Sequence, residues 1–146
     1  MKDKFIHAYM DVAHRFAALS SAKRLQVGAI IVKNDRIISI GYNGMPSGWN
    51  NCCEVETDNG LVTKPEVLHA ESNAIAKLAR SGESGELASI FITHQPCLEC
   101  AKLIYQSGIS SVYYATPYRK KDGLDFLHTA GVPIMRVNNS SHLRIC

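Results

Sequence analysis

No run in this chain approaches the roughly 18 consecutive apolar residues that a membrane-spanning helix needs. The opening residues, Met1-Lys2-Asp3-Lys4-Phe5, lack the long apolar core of a secretory leader. Internal repeats and low-complexity segments are missing, so neither a solenoid nor a compositional linker is expected. Dense basic runs are missing too. Arg119-Lys120-Lys121 is the one triplet, and the net charge is +3. That gives no case for a long nucleic-acid track, yet it suits a phosphorylated small molecule. Five cysteines make an odd count, which argues against a disulfide framework and for a reducing cytoplasm. What is present is 146 residues of ordinary globular composition, enough for one compact domain over residues 1–146.

Along residues 3 to 19, Phe5, Tyr9, Val12, Phe16 and Leu19 recur three or four apart, which predicts an amphipathic helix. His7 and His14 on it read as solvated or core-edge side chains. Val27 to Val32 is an apolar run suited to a buried strand; Asn34-Asp35 turns the chain, and Arg36 to Ile40 returns as a second strand. Gly41 to Gly48 holds three glycines and a proline, which predicts a loop with special backbone angles. Residues 49 to 67 read as irregular. A second helix is expected from Leu68 to Ser81, ended by Gly82, and a strand at Ser89 to Thr93. A third helix follows Pro96 and stops at Gly108. Ser111 to Ala115 is a strand, Asp122 to Ala130 a helix closed by Gly131, and Val132 to Val137 a last strand. Asn138 to Cys146 reads as a tail, with Cys146 a free thiol. The order α-β-β-α-β-α-β-α-β implies an α/β fold: a mixed sheet of about five strands between helices, with right-handed crossovers.

The chemistry concentrates in His69-Ala70-Glu71 and Pro96-Cys97-Leu98-Glu99-Cys100. His69, Cys97 and Cys100 have the identity and number of a catalytic zinc site, with three protein ligands and one position left for water. Both motifs should open helices. Pro96 is favoured at a helix start, and the helix dipole there favours thiolate over thiol. Glu71, two residues from His69, can reach the same water without binding the metal. A structural zinc site would want a fourth ligand, which Cys52, Cys53 or His94 could supply, and a lone Cys-x-x-Cys could be a redox pair. Neither reading explains Glu71 or Pro96. Cys52-Cys53 could bind a second metal, although no matching His or Cys spacing lies nearby.

The combination of H-A-E with P-C-x-x-C resembles zinc nucleobase deaminases, in which the Glu is the general acid and base. Over nearly the whole chain the order of elements is similar to the cytidine deaminase-like fold, a three-layer α/β/α sandwich. Within it the sequence most resembles deoxycytidylate deaminases. Val27 to Val32, Gly41-Tyr42-Asn43-Gly44-Met45-Pro46, the Asn73-Ala74-Ile75 that follows His69-Ala70-Glu71, and Pro96 to Ile104 carry this. The resemblance implies hydrolysis of dCMP to dUMP and ammonia, with Zn²⁺ as cofactor and Glu71 moving protons at the water, N3 and the leaving amine. It implies that Asn43 orients the deoxyribose, and that the Ala70 N–H and the backbone around Thr93 contact the base. Arg24, Lys23 and Tyr118 are candidates for the 5′-phosphate.

By the same resemblance, dCTP would activate and dTTP inhibit, with Mg²⁺ on the triphosphate. Tyr42, Asn43 and Gly44 would lie between effector and substrate, and the enzyme would be a homohexamer. Some relatives carry an insertion before H-A-E that completes a second zinc site. This chain is short there, which implies one zinc per subunit. Two other readings stay open: a deaminase of another cytosine nucleotide or free base, and a non-catalytic zinc-stabilised nucleotide-binding module.

Overall fold

The computed structural model describes residues 1 to 138; the expected tail beyond Asn138, with Cys146, lies outside the described residues. Helix α1 (Asp3–Ala17) is followed by strands β1 (Gly28–Lys33) and β2 (Arg36–Tyr42). Asn34 and Asp35 both take positive φ, 52° and 58°, which suits the two-residue turn of a twisted hairpin. After an excursion the chain enters α2 (Ala70–Ala79), β5 (Ser89–His94), α3 (Leu98–Gln106), β6 (Ser111–Thr116), α4 (Asp122–Thr129) and β7 (Ile134–Arg136).

The main sheet has the order β2-β1-β5-β6-β7. Its first two pairings are antiparallel, and β5-β6 and β6-β7 are parallel. The mixed five-stranded sheet expected from the sequence is therefore present. Alternation along β1 explains its burial on both faces. Ile30 and Val32 face α1, where Met10 and Ala13 join Phe91 and Tyr113. Ala29 and Ile31 face the other way, into a cluster with Ala74 of α2, Ala101 and Ile104 of α3, and Leu127 of α4. Helices α2 and α3 thus lie on the same face.

Two expectations need correction. Residues 49 to 67 are not all irregular: β3 (Glu54–Thr57) and β4 (Gly60–Thr63) form a separate antiparallel hairpin. Its signal, Asp58-Asn59-Gly60 with Gly60 at φ 101°, is real turn chemistry. The strands are only four residues long and mostly exposed, so no burial alternation marks them. The second correction concerns Gly41 to Gly48. Of its glycines only Gly48 has positive φ. Gly41 lies within β2, and it is needed because a Cβ there would collide with the Ala70 carbonyl and lie 2.7 Å from the Ala74 nitrogen. That close approach seats the start of α2 on the sheet. Gly44 and Leu68 exchange two backbone hydrogen bonds, 3.1 and 2.8 Å, which close the excursion at its base.

Candidate active site

Residue His69 is the N-cap of α2 and Cys97 the N-cap of α3. Pro96 immediately precedes the cap, and Cys100 sits in the first turn. Two helix starts therefore point their free N–H groups at one spot. Gly123, in the first turn of α4, lies against the Pro96–Cys97 peptide with no room for a Cβ. The position of the cysteine loop is thus set from both sides.

His69 Nδ1 lies 3.6 Å from Cys97 Sγ and 3.4 Å from Cys100 Sγ. All three donor atoms fall within 4.8 Å of one another, the one such cluster of three among the described residues. Tetrahedral zinc with ordinary Zn–N and Zn–S bonds places nitrogen and sulfur about 3.6 Å apart, so the donor set fits that ion. A hydrogen bond from Cys100, reinforced by His69, pulls Cys97 down to about 4, and the same contact pushes Cys100 up. His69 is raised, chiefly by its hydrogen bond with Cys97.

Glu71 is buried, at 4 % exposure, in the first turn of α2. Burial pushes its carboxyl up to about 7, despite the opposing pull of its own backbone N–H and of His69. A carboxyl at that value can hold or give up a proton near neutrality.

These groups open onto a cavity of about 550 Å³. Of the residues singled out from sequence, His69, Ala70, Glu71, His94, Cys97, Asn43, Arg24 and Tyr118 line it. Cys100, behind Cys97, does not, and neither do Lys23, Thr93, Tyr42, Gly44, Cys52 and Cys53. Lys23 gives its backbone N–H to Glu54 Oε2 at 2.8 Å. The Thr93 hydroxyl is buried under Gly28 N at 3.0 Å, while its neighbours His94 and Gln95 reach the cavity. Tyr42 is at the surface, its carbonyl accepting from Asn73. Asn43 is already engaged: Oδ1 accepts from Val27 N at 2.8 Å and Nδ2 donates to Leu25 O at 2.7 Å. Its own carbonyl accepts from Ser20 Oγ. One residue thereby holds the 20–27 segment against the end of β2.

Sequence reasoning missed three lining residues with polar work to do. Gln95 is buried; Nε2 donates to Lys120 O at 2.6 Å, and Oε1 accepts from Tyr118 N at 3.0 Å and Lys121 Nζ at 3.3 Å. It ties the Tyr118 loop to the cysteine loop. Glu54 and Thr63 reach the cavity from the hairpin. His94 also lines it, held below the ordinary histidine value by burial, with His14 adding like-charge repulsion.

Comparison with known proteins gives a consistent picture. Residues 3–116 match the family model described as the cytidine and deoxycytidylate deaminase zinc-binding region. A deoxycytidylate deaminase of Enterobacteria phage T4 is 34% identical, the alignment covering 88% of this chain and 87% of that protein. The human deoxycytidylate deaminase is 42% identical over 73% of this chain and 61% of its own length. The crystal structure of dCMP deaminase from the cyanophage S-TIM5, in complex with dCMP and dUMP, superposes with a TM-score of 0.89. It is 46% identical, over 94% of this chain and 99% of that one.

Proposed function

Because the chain belongs to the cytidine and deoxycytidylate deaminase family, we propose that it hydrolyses dCMP to dUMP and ammonia. One observation carries this reading: His69, Cys97 and Cys100 converge at tetrahedral spacing beside buried Glu71, in a cavity that Arg24 and Tyr118 also line. The relatives support the choice of substrate, since the cyanophage protein was crystallised with dCMP and dUMP.

His69, Cys97 and Cys100 would hold one zinc ion per subunit, which when bound supplies a Lewis acid that makes water nucleophilic near neutral pH. Glu71 does the proton work. It takes a proton from the attacking water, places it on N3 of cytosine, and delivers one to the amine as the C4–N bond breaks. The Ala70 N–H and the backbone from Thr93 to Gln95 orient the base. Asn43 Nδ2 carries a second hydrogen that can meet a deoxyribose hydroxyl. Arg24 and Tyr118 take the 5′-phosphate, with Lys23 as a neighbouring cation.

The proposal extends to control by dCTP as activator and dTTP as inhibitor, each carried with Mg²⁺, in a homohexamer working in the cytoplasm. Asn43 supports the regulatory part. It joins the Tyr42-Asn43-Gly44 stretch to the 20–27 segment by four hydrogen bonds. A ligand that shifted that stretch would shift Arg24's segment with it.

The deciding experiment follows ammonia release, or the ultraviolet change from cytosine to uracil, with dCMP, CMP and deoxycytidine side by side, with and without the two triphosphates. Fast turnover of dCMP alone supports the substrate assignment. Zinc-loaded protein that turns over none of the three rejects it. Unchanged rates with either triphosphate reject the regulatory part.

A further inference from the structure

The β3–β4 hairpin stands apart from the main sheet, and nearly all of it is exposed. Its one buried strand residue is Glu54, at 7 % exposure. A carboxylate turned inward beside a cavity needs hydrogen-bond donors. It finds them in the backbone: Oε2 accepts from Lys23 N at 2.8 Å and from Arg24 N at 3.1 Å. Thr63 is Glu54's cross-strand partner. Its hydroxyl accepts from Arg24 Nη1 at 3.1 Å. Arg24 is therefore held at both ends, its backbone by Glu54 and its guanidinium by Thr63. All three residues line the same cavity.

We propose that Glu54 and Thr63 are positioning residues for Arg24, and that through it the hairpin sets the preference for a phosphorylated substrate. The inference rests on the reading of Arg24 as a phosphate donor. The physical reason is preorganisation. An arginine side chain free in solvent must give up rotamer freedom to grip an anion, whereas one already held gives up less. Thr63 occupies one of the five N–H donors and leaves the rest of the guanidinium fork for phosphate oxygens. Glu54 is poorly suited to touching phosphate itself, since like charges repel. Its two backbone donors explain why a carboxylate is tolerated there.

The test is a double-mutant cycle with kcat and KM measured on dCMP and on deoxycytidine. Thr63→Val removes only an exposed hydroxyl, so the protein should fold normally. We expect it to lower kcat/KM for dCMP by roughly 3- to 10-fold through KM, the size of one ordinary exposed hydrogen bond. Deoxycytidine should stay within about twofold, because the lost contact serves only the phosphate. Arg24→Ala should lose more, and Thr63→Val on that background should lose nothing further. Glu54→Gln should fall in the same direction as Thr63→Val. Additive losses, equal losses on both substrates, or a gain in dCMP preference with Glu54→Gln would overturn the proposal. Wild-type protein that prefers deoxycytidine, or turns over neither substrate, overturns the phosphate reading itself before any variant is compared.

Discussion

Gly123 of α4 packs against the Pro96–Cys97 peptide so closely that an added Cβ would lie 2.9 Å from the Cys97 carbonyl carbon. Both partners at the contact are backbone or built onto it, so no flexible side chain can yield. Gly123→Ala should push α4 or the cysteine loop aside at a cost of about 1–3 kcal/mol. We expect weaker zinc retention together with a lower Tm. A variant with wild-type zinc content and wild-type Tm would show that the contact does not govern the site.

Glu71→Gln keeps the size of the side chain and removes its capacity to carry protons. Zinc content should be unchanged while kcat falls by about 10²–10⁴. Zinc by elemental analysis and ammonia release on the same preparation check this. A variant retaining most of its rate would move the proton work elsewhere.

Removing zinc with a chelator should abolish turnover and lower Tm, because an ion bound only by the folded chain stabilises it. Adding zinc back should restore both. Thermal melts that do not respond to the chelator would mean that the three donors are not a metal site.

Asn43→Ala breaks side-chain bonds to Val27 N and Leu25 O. It leaves those backbone groups to find other partners, at roughly 1–3 kcal/mol. Tm should fall by several degrees, about 2–4 °C for each kcal/mol. Turnover of dCMP should fall as well, since Arg24's segment loses its anchor. Calorimetry showing no change in Tm would contradict the anchoring role.

His94 is held below its ordinary value, mainly by burial. The unfolded chain therefore takes up this proton more readily than the folded one, and stability is lost as pH falls through about 6.5. Above that pH the residue adds no slope. His94→Gln should flatten the decline of Tm between about pH 7 and pH 5. An unchanged slope would place the acid sensitivity in other groups.

The centre of the main sheet was legible because β1, β5 and β6 are apolar runs buried on both faces, and Gly108 and Gly131 end their helices with φ of 84° and 79°. The donors His69, Cys97 and Cys100 were legible because each belongs to a short motif at a helix start. Helix α2 is shorter than the pattern implied, ending at Ala79. The supports of the cavity were not legible. Glu54 meets its partners across 31 and 30 residues, and Gln95 meets Lys120 across 25. No local pattern encodes such a bond. Nor does local pattern reveal why Gly41 must be glycine; that depends on a helix 29 residues further on.

The bridge between Gly44 and Leu68 has a consequence for how such a chain could diversify. It clasps the two ends of residues 45 to 67, so that His69 begins from the same place whatever the clasped segment contains. Loop-closure cost grows slowly with length, and a surface excursion can be lengthened, trimmed or replaced at modest expense. Recognition by way of that segment can therefore be rewritten as a cassette, while the donors at the two helix starts keep their places.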